Sequence, residues 1–181
     1  SKDDVCSWEL ENLTVCRSGI HLRIKFGCPI FENIYQKAFE GRLSLGSAEA
    51  KISAQTPFAK SDIGAFVSEK YGVAVLRVNA EYEDAAVVEA VCERWGSRSF
   101  ARWYSDTNGG PEDGLGGTET SYEGNTLFLT QELNGTKFCA AIRIEGNENE
   151  CSKVNSNAVQ CTTALKIRHN MVFYAAIAVG E

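Results

Sequence analysis

Asn125-Thr-Leu-Phe-Leu-Thr-Gln-Glu-Leu133, Asn134-Gly135, Thr136-Lys-Phe-Cys-Ala-Ala-Ile-Arg-Ile144, then past a polar loop Gln160-Cys-Thr-Thr-Ala-Leu-Lys-Ile167, His169-Asn170 and Met171-Val-Phe-Tyr-Ala-Ala-Ile-Ala-Val179 decide how the chain is read. These are four runs rich in β-branched and aromatic residues, separated by turn formers. Asn134-Gly135 between two apolar runs predicts a hairpin, because a two-residue type I′ turn needs φ > 0 at both central positions. The run from Met171 to Val179 carries almost no polar residue; its length also allows a helix, but the Asn170 break and the Val, Ile and aromatic content favour a strand, central and buried on both faces. A sheet built from this block is the expected core.

Upstream, the spacing predicts helices that pack on that sheet. Val5, Trp8, Leu13 and Cys16 fall near one helical face over residues 4–17, and Gly19 suits the stop. Ile20 to Phe26 alternates strictly and predicts a strand. Pro29 at a first helical position, with Ile30, Phe31, Ile34, Tyr35 and Ala38 behind it, predicts a helix from Cys28 to Gly41. Residues 41–60 read as loop. Ser61-Asp62 suits the cap of a helix to Tyr71, Val73–Val78 a short strand, and Glu81–Trp95 a further helix with Glu81, Glu83 and Asp84 in its first turn. Ser105–Gly124 holds six glycines and reads as an exposed mobile loop. The expected fold class is therefore α+β: one domain over residues 1–181, with early helices packed on a C-terminal antiparallel sheet.

The formal net charge of −6 excludes a nucleic-acid binder that works by counterion release, and equally a polybasic membrane binder. No apolar run is long enough to span a bilayer. Seven cysteines (Cys6, Cys16, Cys28, Cys92, Cys139, Cys151 and Cys161) contain no Cys-x-x-Cys, and with two histidines a Cys/His metal cluster is not expected. The count reads as a disulfide framework in an oxidising compartment, with three bridges, one thiol left over, and at least one bridge drawn from Cys139, Cys151 and Cys161. Asn12-Leu-Thr14 and Asn134-Gly-Thr136 are glycosylation acceptors suited to a secreted surface.

Candidate catalysis is thin. His21 and His169 read as surface histidines, one on a strand and one in a turn, with no nucleophile frame beside either. The acidic groups Glu81/Glu83/Asp84 and Glu145/Glu148/Glu150 lack the spacing of a calcium loop. The glycine pairs 109–110 and 116–117 lack the Lys-Ser/Thr of a phosphate cradle. Arg94, Arg98 and Arg102, interleaved with Trp95, Trp103 and Tyr104, form a candidate surface-binding patch. No cofactor is implied, and the residues point to a module that acts through its surface and not as an enzyme. Contiguous exposed aromatic side chains on one face would favour adhesion; a sizeable, dry apolar pocket would favour a small ligand or lipid.

The pattern Ala90-Val91, Trp95, Phe100, the glycine-rich 108–124, Leu127-Phe128-Leu129, Cys151, Val159-Gln160-Cys161-Thr162 and Tyr174-Ala175 resembles the cysteine-rich surface antigens (SAG family) of coccidian apicomplexan parasites over roughly residues 85–178. The resemblance implies a CAP-like αβα fold and display on the extracellular cell surface through a glycolipid (GPI) anchor. It also implies attachment to a host cell surface, host protein or glycan. The alternative it carries is a secreted CAP-like protein binding a small ligand or lipid. The His/His/Glu cluster of secreted CAP proteins has no counterpart here. The chain stops without the apolar tail an anchor needs, so membrane contact is expected only through an anchor lying outside this sequence, and the protein is expected to be a monomer.

Overall fold

A period of two, not 3.6, runs through the backbone in the computed structural model of the protein, which describes residues 4–5, 15–16, 20–94, 115–133 and 136–180. In chain order the strands are β1 (Asp4–Val5), β2 (Val15–Cys16), β3 (His21–Lys25), β4 (Ala38–Ser44), β5 (Glu49–Gln55), β6 (Ala59–Ser68) and β7 (Val73–Ala86). They continue as β8 (Glu89–Glu93), β9 (Leu115–Glu123), β10 (Thr126–Leu133), β11 (Thr136–Glu145), β12 (Asn149–Asn155), β13 (Ala158–Thr163) and β14 (Lys166–Gly180). Among the described residues there is no α-helix, and a single 3₁₀ turn spans Asn33–Tyr35. β1 pairs with β2; the other strands form an eight-stranded antiparallel sheet, β4-β5-β6-β7-β14-β11-β10-β9, and a four-stranded one, β12-β13-β8-β3.

The fold is thus all-β, and the α+β expectation, with the CAP-like architecture attached to it, is overturned. Its physical reason lies in the competing periods. Leu76-Arg-Val-Asn-Ala-Glu-Tyr-Glu83 alternates apolar and polar residues without a break, so the acids at 81 and 83 sit on the outer face of β7 and not in the first turn of a helix. Ala90-Val91, read as helical, lies in β8. Ser61 does not cap a helix; it lies buried in β6, and Asp62 accepts a 2.6 Å hydrogen bond from Ser53 Oγ across the strand pair. The Ile30/Phe31/Ile34/Tyr35 spacing is real but short. It builds a plug in which Ile30 is buried, Phe31 meets Phe26 edge-on at 5.5 Å, and Tyr35 meets Phe58 at 5.2 Å. The Lys37 amide then donates to the Gln55 carbonyl at 2.8 Å and β4 begins. The 41–60 loop is mostly β4 and β5, and Leu115–Glu123 of the expected mobile loop is β9; residues 105–114 of that loop lie outside the described residues.

The C-terminal reading holds better. β10 and β11 are paired from Thr126↔Arg143 to Leu133↔Thr136, the hairpin that Asn134-Gly135 predicts. β14 lies inside the large sheet between β7 and β11. It is not buried on both faces: Met171 and Phe173 are in the core, while Tyr174, Ile177 and Val179 are exposed.

Both sheets share one core. Residues paired across antiparallel strands share a face, and faces alternate along each strand. The inner face of the large sheet therefore carries Val78, Met171, Phe173, Ile144, Ile142, Leu127 and Leu129. The small sheet answers with Leu22, Ile24, Ala90, Cys92, Val159 and Cys161. Cys151 and Cys161, directly opposite in the β12–β13 register, form a disulfide.

Candidate functional site

The small sheet covers only part of the large one. β12 lies over β9, β13 over β9 and β10, and β8 over β10. Following one inner-face row shows where the cover ends: Thr120, Leu129 and Ala140 are buried, and the next residue across, Ile177, is 58% exposed. A second row runs from buried Ile144 and Phe173 through Leu76 and Ala65 to Leu43, which is 66% exposed. Phe39, Ile52, Val67 and Val179 complete the open region, and by register all six lie on the inner face.

The opposite, outer face of these strands is built for water. Ion pairs and hydrogen bonds lace it: Lys51 with Glu49 at 3.1 Å, Arg143 with Glu145 at 2.9 Å, Arg168 with Glu81 at 2.7 Å. So the alternation of β4, β5 and β6 continues to face apolar side chains inward after the covering layer has stopped. Burying six such side chains is worth on the order of 5–10 kcal/mol, allowing for their partial exposure. Three surface clefts flank β4 and β5, with volumes of about 240, 260 and 310 Å³, and each is lined in part by charged residues (Arg42, Glu49 and Lys51 in one). None is the dry enclosed pocket a lipid would need.

Of the candidate surface patch, Arg94 is tied inward: its Nη1 donates to Thr118 Oγ1 at 3.2 Å and its amide to the Asn157 carbonyl at 2.8 Å. Arg98 and Arg102 lie outside the described residues, as do Asn12, Asn134 and Cys6, and of Cys16 only its place in β2 is described. Cys28, Cys92 and Cys139 are free. Among the described residues one bridge forms, Cys151–Cys161, drawn from the three cysteines of the C-terminal block. Burial pushes the Cys92 thiol up to about 12, helped by the nearby Glu93 and Cys139, and burial also raises Cys28.

His21 Nδ1 lies 3.2 Å from Glu93 Oε1, and Arg23 holds the other oxygen at 2.8 Å; the carboxylate is clamped by two neighbours on β3. His169 is not a surface residue in a turn. It is fully buried inside β14, with Nε2–H donating to the Ala86 carbonyl at 2.9 Å and also facing the Lys166 carbonyl at 3.2 Å. Asn147 Nδ2 donates to its Nδ1 at 2.7 Å, and the Tyr82 ring meets it edge-on at 5.5 Å. Among the described residues no group of three or more His, Cys, Asp or Glu side chains could hold a metal ion. No described helix is long and apolar enough to cross a membrane.

No family model matches the chain, and no curated protein does. Among solved structures it is similar to a putative kojibiose phosphorylase from the human microbiome, with a TM-score of 0.60 at 15% identity. The match covers 99% of this chain and 25% of the phosphorylase, so the whole chain corresponds to about a quarter of that protein's length. What the likeness establishes is the fold: a two-sheet antiparallel sandwich that recurs as one part of a longer polypeptide.

Proposed function

We propose that this chain is a non-catalytic recognition module that binds a protein partner through the open half of the inner face of its larger sheet. The observation that carries the reading is the side-by-side exposure of Phe39, Leu43, Ile52, Val67, Ile177 and Val179 beyond the edge of the covering sheet. Large exposed apolar patches rimmed by polar residues are where proteins meet partners. An apolar surface fits an apolar protein ridge better than a glycan, whose hydroxyls would go unsatisfied against it. The phosphorylase likeness supports the reading in one respect: there a part of this fold makes up only 25% of a longer polypeptide. Attachment to a host cell surface is the role we assign to such a module here, with a surface protein as the receptor.

Binding of the purified chain to host cells, with and without prior protease treatment of the cells, tests this. Leu43→Lys, Val67→Lys and Ile177→Lys together should weaken binding by at least about tenfold while leaving Tm unchanged, because all three side chains are already exposed. Binding should survive high salt, since its source is apolar. Salt-sensitive binding that the triple variant retains would instead assign contact to cationic groups, and the reading would fall.

A further inference from the structure

We infer that two copies of this chain join through their β4 strands, and this stands apart from the identity of any partner on the open face. β4 is an outer strand of the large sheet: one side pairs with β5 from Ala38↔Gln55 to Ser44↔Glu49, and no described strand pairs with the other. Its residues Ala38 to Leu43 are all exposed. A free edge of this kind offers a row of unpaired N–H and C=O groups to any strand that fits it, and proteins ordinarily blunt such edges.

β4 fits itself. Two copies related by a two-fold axis perpendicular to the sheet pair antiparallel with inner face beside inner face. That condition lets Ala38-Phe-Glu-Gly-Arg-Leu-Ser44 pair about Glu40, Gly41 or Arg42 as centre. Centring on Glu40 or on Arg42 sets a charge against its own copy. Centring on Gly41 sets Glu40 opposite Arg42 twice on the outer face, Phe39 opposite Leu43 twice on the inner face, and Ala38 opposite Ser44. Opposed pairs of this kind stabilise a ladder, and like charges directly opposite destabilise it. Among the described residues neither Glu40 nor Arg42 has an ion-pair partner within its own chain, and Arg42 stands directly across from Lys51 on β5. Lys51 is itself paired with Glu49 at 3.1 Å, so Glu40 of a second copy would supply the ion-pair partner that Arg42 lacks.

The other edges of the large and the small sheet lack this property. About its centre β3 sets Arg23 against itself and His21 against Lys25; β9 sets Glu119 against itself; β12 sets Lys153 against the disulfide-bonded Cys151. The β4 contact is isologous, so it closes at two copies and does not propagate. It yields one sheet of sixteen strands, eight from each copy, and brings the two open apolar faces into one across Phe39 and Leu43. Seven residue pairs make a small interface, so association should be concentration-dependent and on the order of micromolar.

Sedimentation velocity from about 1 to about 100 µM, the range suited to such an interface, tests this. The wild-type mass should rise from 19.8 kDa toward twice that value. Glu40→Arg sets cation against cation at both crossings and Arg42→Glu sets anion against anion, so each variant alone should be monomeric, with association weakened at least about tenfold. An equimolar mixture of the two single variants places every reversed charge opposite its complement and should dimerise. So should the double swap Glu40→Arg with Arg42→Glu. Recovery in the mixture cannot come from a folding defect. A wild type that stays monomeric throughout, single variants that dimerise as well as wild type, or a mixture that remains monomeric would each overturn the proposal.

Discussion

His169 sits where a polar side chain is costly unless every polar atom is matched, and it is matched: a donor to the Ala86 carbonyl, an acceptor for Asn147 Nδ2, and the edge of Tyr82 against its ring. His169→Ala removes the ring and leaves those partners unpaired in the core, so it should cost about 3 kcal/mol, read from denaturant unfolding. Gly146 is fixed by a different constraint. Its φ is +106, and a Cβ there would collide with the Asn170 carbonyl, which is backbone and cannot move aside cheaply. Gly146→Ala should therefore destabilise by about 2 kcal/mol or more. Cys92 gives a pH signature. Its folded thiol is raised from 9.0 to about 12, so the unfolded chain releases this proton first and stability should fall as pH climbs from about 9 through about 12. Below about 9 the same thiol is neutral in both states and contributes no slope. Alkylation of the native protein near pH 8 should leave Cys92 unmodified while the half-buried Cys139 reacts; modification of Cys92 at the rate of an ordinary thiol would contradict its place in the core.

At the scale of elements the disulfide is the simplest lever. Cys151–Cys161 closes a short loop across β12 and β13, and opening it by Cys161→Ser with Cys151→Ser should cost about 2.5–3 kcal/mol by chain entropy. If stability is unchanged, the hairpin is held by its ladder alone. The elements that sequence made legible were those with only one plausible period. Asn134-Gly135 names a two-residue hairpin and Ile20–Phe26 alternates without exception, while in Met171–Val179 the Asn170 break and the Val, Ile and aromatic content tip the balance from helix to strand. Elements that were misread have residues satisfying two periods at once. Ala85, Val88 and Cys92 sit at helical spacing by coincidence, because β7 ends at Ala86 and β8 starts afresh at Glu89. Ser61-Asp62 looks like a cap because small polar residues suit both caps and the polar face of a strand. His169-Asn170 reads as a turn, but His169 is paid no attention by local propensity; its partners Ala86 and Asn147 come from 83 and 22 residues away.

On the scale of the whole molecule, sequence alternation tells which face of a strand is apolar but not whether anything covers it. Val67 and Leu127 look alike in sequence, and both face inward; Leu127 is buried under the small sheet and Val67 is 68% exposed beside it. That is why the open face is not legible in the sequence, whereas the arginines stand out there by charge alone, and Arg94 is tied to Thr118. The expectation of a monomer rested on no residue of β4, whose complementarity about Gly41 emerges only once the strand is known to be an edge. The most direct test of the half-covered sheet is carbene footprinting of the isolated chain, read residue by residue by mass spectrometry at a concentration below dimerisation. Leu43, Val67 and Ile177 should label heavily, while Leu127, Leu129 and Ile142, on the same face of the same sheet, should label hardly at all. Equal protection of both groups would mean the inner face is covered from end to end, and the open recognition surface would not exist.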